Sequence, residues 1–132
     1  MSTSVSAVPA ADANRATRHF ESLLEFETDC WDVHDAMSKG VADFVLLDVR
    51  STAAYENGHV DGAVGLPHAA IKASTLAEYS KDTLFVVYCA GPHCNGAHRA
   101  AIQLARLGRP VKMMIGGITG WLDEGFQLVS TP

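Results

Sequence analysis

The segment from Cys89 to Arg99, CAGPHCNGAHR, concentrates side chains that could do chemistry. An ionised cysteine thiol is a strong nucleophile. The segment follows an apolar run and leads into alanines at helical spacing, which predicts a short loop between a buried strand and a helix. Such a loop points backbone N–H groups at its centre, and the helix N-terminus adds positive potential. The pattern predicts a nucleophilic cysteine in an anion-binding loop.

A metal site is the competing interpretation of this segment. Four potential ligands, Cys89, His93, Cys94 and His98, lie within ten residues. Structural zinc sites usually take their ligands from two separated pairs, and one tight loop running into a helix rarely wraps a metal. We therefore predict no metal and no cofactor.

The elements around the loop predict an α/β fold. The apolar runs at 44–49 and 84–88 are typical of strands buried on both faces, and further strands are predicted at 111–115, 30–33 and 63–66. Helices are predicted from Asn14 onward, at 34–39, at 51–55, from Ala97 to the Gly108 stop, and at 119–124. Strands alternating with helices indicate a mostly parallel central sheet flanked by helices, with sites beyond the carboxyl ends of the strands.

Length and composition predict a single globular domain. The chain has 132 residues, of which 48% are hydrophobic and 19% charged. We expect residues 1–13 to form a flexible arm and 14–132 one domain. The formal net charge of −5 argues against nucleic acid or an anionic membrane as a partner. No signal peptide or membrane span is evident, and three cysteines are too few for a disulfide scaffold, so we expect the cytoplasm.

Three segments together resemble the rhodanese-like domain family, the sulfurtransferases. They are FVLLDVRSTAAYENGHVDGAVGLPH, VVYCAGPHCNGAHRAA and MIGGITGWLDEGFQL, and they follow the family's order and spacing. The resemblance implies the family's three-layer α/β fold. It also implies that a loop thiolate takes the sulfane sulfur of a donor such as thiosulfate, forms a persulfide cradled by backbone N–H groups, and passes the sulfur to cyanide or a thiol.

Two cysteines compete for the role of nucleophile. Cys89 follows the strand directly, where the family places its nucleophile, and is the first choice. Cys94 precedes the helix and is the second choice; alternatively it resolves a persulfide or sulfenate on Cys89 through a disulfide. The remaining residues of the substrate-binding, active-site loop are Ala90, Gly91, Pro92, His93, Asn95, Gly96, His98 and Arg99, with Asn95 the expected helix cap.

The loop departs from the family pattern. The family usually has an arginine at the fifth position after its cysteine, and here that position is Cys94. The loop is also enlarged, so His93, His98 or Arg99 are the candidates for supplying positive charge. Asp48 and Arg50, at the end of the first apolar run, are expected to form a structural ion pair or loop anchor.

Two other functions remain open from the sequence. A cysteine-dependent phosphatase or arsenate reductase would use a similar loop, but it needs an arginine six positions after the cysteine. Those positions hold Asn95 and Ala100. A non-catalytic interaction module on the same fold is the other alternative. The expected partners are a small-molecule sulfur donor and a thiol or cyanide acceptor, and no protein partner can be named.

Overall fold

The computed structural model describes all residues, Met1–Pro132, and contains one five-stranded sheet. The strands are β1 (Glu27–Asp29), β2 (Val45–Asp48), β3 (Val64–Gly65), β4 (Phe85–Tyr88) and β5 (Val111–Ile115). Their spatial order is β1-β5-β4-β2-β3, and every neighbouring pair is parallel. The expected α/β class with a parallel sheet is confirmed.

Helices cover both faces of the sheet. They are α1 (Ala13–Phe26), α2 (Cys30–Ser38), α3 (Thr52–Asn57), α4 (Gly96–Arg106) and α5 (Gly117–Asp123), with a 3₁₀ turn at His68–Ala70. None of them is both long and apolar enough to cross a membrane. Helix α1 begins at the last residue of the arm expected at 1–13, whose flexibility stays a prediction.

The core has two halves, one on each side of the sheet. Along β4, Phe85 and Val87 pack with Ala100 and Leu104 of α4. The alternate residues, Val86 and Tyr88, pack on the opposite face, together with Cys30 and Val33 of α2 and Trp121 of α5. Successive side chains of a strand point to opposite faces. A strand with helices on both sides therefore has apolar residues at every position, as β4 does.

The strand predicted at 30–33 is wrong. Cys30 begins α2, and the preceding polar segment Glu27–Asp29 forms the edge strand β1. The side chain of Asp29 accepts a hydrogen bond from the backbone N–H of Asp32 at 2.8 Å, which caps the helix. Asp29 is a favoured N-cap residue, and this signal in the sequence would have placed the helix start correctly.

Candidate active site

The loop between β4 and α4 holds Cys89 and Cys94, and the structure joins them in a disulfide. Their Cα atoms are 6.4 Å apart. Cys89 is only 6% exposed, at the carboxyl end of the central strand β4. Cys94 is exposed. The loop therefore has one buried cysteine that is part of the core and one cysteine that is exposed.

A tight turn brings Cys94 back over Cys89. The N–H of Cys94 donates to the carbonyl of Gly91 at 3.1 Å. Pro92 lies at the second position of this four-residue turn, where its fixed φ is favoured. Residues 91–94 of the loop thus form a defined turn.

Gly96 supplies the space for both sulfurs. A Cβ atom at Gly96 would lie 2.8 Å from the Sγ atom of Cys89 and 3.5 Å from that of Cys94. Both sulfurs therefore lie against the first residue of α4. A side chain at this position would push the buried sulfur out of its place.

Many backbone amides of the loop are free to bind an anion. The N–H groups of residues 90, 91, 93 and 95–98 donate to no acceptor within the protein. Those of 96–98 form the first turn of α4, where helices have unpaired donors and positive potential. Asn95 occupies the cap position, but its side chain makes no capping bond. Its amide oxygen accepts instead from Nε of Arg99 at 3.3 Å.

Helix α5 holds the first part of the loop. The N–H of Ile118 donates to the carbonyl of Cys89 at 3.1 Å. The N–H and hydroxyl of Thr119 donate to the carbonyl of Ala90 at 3.0 and 3.2 Å. Thr119 and Gly117 were not predicted as loop supports, although the Gly-Gly pair before α5 was a usable signal of close backbone approach.

A small concavity of about 220 Å³ adjoins the two sulfurs. Its lining contains no charged side chain; besides the cysteines it includes Gly91, Pro92, Ala97, Met113, Met114 and Gly117. His93, His98 and Arg99, the candidate sources of charge, are exposed and do not line it. The donors available to an anion beside the sulfur are therefore backbone N–H groups and not charged side chains. The residues of the loop comprise no cluster that could hold a metal ion.

A buried polar network anchors the strand end directly before Cys89. Asp48 is fully buried, and its carboxylate accepts hydrogen bonds from Nε and a terminal nitrogen of Arg50 at 3.0 and 2.7 Å. The hydroxyl of Tyr88 donates to Asp48 at 2.7 Å and accepts from the N–H of Val60 at 3.1 Å. The expected ion pair of Asp48 and Arg50 is therefore present, and the neutral hydroxyl of Tyr88, a residue that was not predicted to take part, hydrogen-bonds to it.

The electrostatics of this network suit a structural role. The hydrogen bond to Asp48 raises the pKa of Arg50, and burial raises the pKa of Tyr88. Both groups keep their protons at physiological pH. The network holds the end of β4, and with it Cys89, at a fixed position relative to β2.

The third cysteine lies outside this site. Cys30 is 5% exposed, and burial, with Asp29 and Glu124 nearby, raises the pKa of its thiol to about 11. The thiol lies 3.5 Å from the carbonyl oxygen of Ile115. A buried thiol that stays protonated at neutral pH is a poor nucleophile.

Comparison with solved structures places this arrangement among known proteins. The BH2092 protein from Bacillus halodurans has a TM-score of 0.88 and 38% identity, covering 91% of this chain and 88% of that one. The rhodanese-like domain of Alr3790 from Anabaena has a TM-score of 0.71 and 25% identity, covering 79% and 78%. A thiosulfate sulfurtransferase from Pseudomonas aeruginosa, 24% identical with a TM-score of 0.65, shares the fold over 89% of this chain and 21% of its own.

The amino-acid sequence is similar to one curated protein and matches one family model. The HTH-type transcriptional regulator Rv0324 of Mycobacterium tuberculosis is 38% identical over 90 residues. This match covers 63% of the chain and 39% of the regulator, so the chain corresponds to less than half of that protein. The family model of the rhodanese-like domain matches residues 31–124, which include the sheet strands from β2 onward and the loop of Cys89 and Cys94. The chain therefore belongs to the rhodanese-like domain family.

Proposed function

We propose that this chain is a sulfurtransferase that carries sulfane sulfur as a persulfide on Cys89. The observation that carries the proposal is the position of the Cys89 sulfur, against the first turn of α4 and beside a loop of unpaired amides. Parallel α/β sheets bind ligands beyond the carboxyl ends of their strands, and Cys89 directly follows such an end. Family membership supports the same chemistry.

The reaction begins with the reduced loop. The Cys89 thiolate attacks the outer sulfur of a donor such as thiosulfate, the donor's S–S bond breaks, and sulfite leaves with the bonding electron pair. The terminal sulfur of the resulting persulfide is anionic, and nearby amides stabilise it as an oxyanion hole would. A thiol or cyanide then attacks that sulfur and restores the Cys89 thiolate. Such two-step covalent catalysis gives ping-pong kinetics.

The lining of the concavity favours sulfane sulfur over phosphate or arsenate. A cysteine phosphatase holds the transferred phosphate group with a bidentate arginine, whereas a persulfide presents a single anionic sulfur. Here no charged side chain lines the concavity, and the guanidinium of Arg99 bonds to Asn95. At about 220 Å³ the concavity is below the usual range for organic ligands and suits a small inorganic donor.

One observation favours a second candidate function. The Mycobacterium relative is named a transcriptional regulator, and this chain matches only 39% of it. A rhodanese-like domain could serve such a protein as an interaction module. In that case the chain would bind a partner without turning over a sulfur donor, whereas the sulfurtransferase turns over thiosulfate by itself.

The proposed compartment and partners follow from the same thiol chemistry. We place the reaction in the cytoplasm, where thiol reductants keep the Cys89–Cys94 pair available as thiols. The partners are a small sulfur donor and a thiophilic acceptor. The acidic chain, with a net charge of −5, does not favour nucleic acid or an anionic membrane.

The test uses two single variants, Cys94→Ser and Cys89→Ser. Each variant is reduced, and the reductant is then removed. After incubation with thiosulfate, non-reducing peptide mapping by mass spectrometry locates any added sulfur. We expect one added sulfur on Cys89 in Cys94→Ser and none in Cys89→Ser. With thiosulfate and cyanide, Cys89→Ser should lower kcat/KM by at least about 1000-fold, because the nucleophile is lost.

Other outcomes of the test separate the alternatives. Sulfur added to Cys94 in Cys89→Ser, with none on Cys89 in the other variant, would keep the function and move the nucleophile. No adduct and no sulfite from either variant or the parent chain would reject the function. Hydrolysis of p-nitrophenyl phosphate by the reduced parent chain would instead support the phosphatase alternative.

A further inference from the structure

The disulfide shows that the sulfur of Cys94 can reach the sulfur of Cys89. The turn from Gly91 to Cys94 and the bare surface of Gly96 bring the second sulfur into bonding contact with the first. Any sulfur adduct on Cys89 therefore forms within reach of a second thiol.

The two cysteines differ in their exposure to solvent. Cys89 is 6% exposed, whereas Cys94 is exposed. An external reductant that approaches the disulfide meets the sulfur of Cys94 first. Cys89 then leaves as a thiolate at the N-terminus of α4, where the helix stabilises negative charge. A stabilised leaving thiolate speeds thiol–disulfide exchange.

We propose that Cys94 resolves the persulfide on Cys89, so that the chain releases sulfide from sulfane sulfur donors and is left as the Cys89–Cys94 disulfide. This proposal rests on the persulfide function proposed above and adds the acceptor and the product. The acceptor is a thiol of the same loop. The product is hydrogen sulfide, and a dithiol reductant returns the loop to its starting state.

The step balances in atoms and electrons. The Cys94 sulfur attacks the Sγ atom of Cys89, which is the inner sulfur of the persulfide. The bond between inner and outer sulfur breaks, and the outer sulfur leaves with the electron pair and the proton of Cys94 as HS⁻. The new bond is the disulfide seen in the structure. A dithiol then reduces that disulfide to two thiols and becomes a disulfide itself.

Proximity favours this route over transfer to a small thiol. A thiol held beside its target reacts as if it were present at a very high effective concentration. External acceptors must instead reach the outer sulfur through a concavity of about 220 Å³ that Cys94 and Pro92 border. Cys94, at a position where the family pattern has an arginine, therefore changes the site. Instead of transferring sulfur to an external acceptor, the loop reduces the persulfide on Cys89.

The decisive experiment is an anaerobic single turnover without external thiol, since an added thiol could release sulfide by itself. The reduced parent chain and the reduced Cys94→Ser variant each receive one equivalent of thiosulfate. Sulfite, sulfide, free thiols and intact mass are then measured. The parent chain should release sulfite and sulfide in equal amounts and become two hydrogens lighter. Cys94→Ser should release sulfite only and gain one sulfur on Cys89.

Controls guard against an artefact of the substitution. Cys94→Ala provides a second replacement if Cys94→Ser does not fold, as judged by circular dichroism. Cys30→Ala removes a thiol outside the loop and should release as much sulfide as the parent chain. We expect the sulfide rate to fall by at least about 100-fold in both Cys94 variants and to be unchanged in Cys30→Ala.

The outcomes separate this inference from the function on which it rests. A stable persulfide on the parent chain, with sulfite but no sulfide, would overturn the role of Cys94 and keep the sulfurtransferase. Equal sulfide from the parent chain and the Cys94 variants would also overturn it. Absence of sulfite from every variant would reject the sulfurtransferase itself, and the resolving role with it.

Discussion

Asp48 shows how a single buried charge can fix the position of the proposed nucleophile. Its carboxylate is fully buried, and Arg50 compensates it with hydrogen bonds from two side-chain nitrogens and its backbone N–H. The guanidinium is itself mostly covered, with a side-chain exposure of 14%. Tyr88 joins the same carboxylate from the residue before Cys89. A charge with this many partners is stable inside the protein, and removing one partner leaves the others unpaired.

Replacing Asp48 by Asn should therefore destabilise the chain strongly. We expect the free energy of unfolding to fall by about 3–5 kcal/mol, because Arg50 would be left buried without its counter-charge. Urea denaturation followed by circular dichroism measures the change. Asp35→Asn is the matched control, since the ion pair of Asp35 and Lys39 is exposed, and its loss should cost at most about 0.5 kcal/mol. Equal effects of the two substitutions would show that the buried network is not an anchor.

At the residue scale, the position of the loop could be predicted from the sequence. Which of its charged side chains lie near the sulfur could not. Two cysteines between a buried strand and a helix identify the loop, because residue type and spacing suffice for that. Whether His93, His98 or Arg99 faces the sulfur depends on the path of the enlarged loop. That path is set by the Gly91–Cys94 turn and by contacts with α5, which is distant in sequence.

At the scale of elements, the buried strands were predictable and the edge strand was not. The strands β2 and β4 lie within the apolar runs, since helices cover both of their faces, and β5 forms at the predicted residues 111–115. Strand β1 pairs only with β5 and consists of Glu27, Thr28 and Asp29, so its sequence lacks that signal. The apolar Cys30 and Val33 instead face the core from α2. The segment 30–33 therefore received the wrong type of element, and within it only Cys30 and Val33 are buried, whereas Trp31 is 60% exposed.

Helix α5 acts on the loop through backbone contact, and Gly117 permits it. A Cβ atom at Gly117 would collide with the carbonyl oxygen of Cys89 and lie 3.0 Å from the nitrogen of Gly91. Gly117 also has a φ of +58°, in the left-handed region. The close approach allows Ile118 and Thr119 to donate hydrogen bonds to the loop. The position of α5 and the path of the loop are therefore coupled.

Gly117→Ala should separate these two elements. Gly125→Ala is the matched control, because Gly125 has a φ of +84° but open space around its Cβ position. We expect the control to cost about 1–2 kcal/mol from backbone strain alone. Gly117→Ala should cost at least about 2 kcal/mol more and lower the rate of sulfite release from thiosulfate at least tenfold. Urea denaturation and a sulfite assay give the two readouts, and equal costs for the two variants would argue against the coupling.

At the scale of the whole molecule, the site depends on segments spread over most of the chain. The loop follows the central strand β4, its strand end is held by β2, and its backbone is held by α5. The matched family region begins at residue 31, so α1 and β1 lie outside it. Strand β1 nevertheless extends the sheet beside β5, and α1 leads into it. The N-terminal region thus contains both an exposed arm and structural elements of the fold.

Two truncations distinguish the arm from the helix that follows it. Residues 1–11 are all exposed, and Asp12 caps α1 by accepting from the N–H of Arg15 at 3.0 Å. A chain of residues 12–132 keeps this cap, and we expect its free energy of unfolding to change by less than about 0.5 kcal/mol. A chain of residues 27–132 loses α1, whose Ala16 and Leu23 are half-buried, and should lose at least about 2 kcal/mol. Urea denaturation measures both changes, and sulfite release from thiosulfate should be unaltered in the 12–132 chain. If removing residues 1–11 alone costs as much as removing 1–26, the arm is a packed part of the domain.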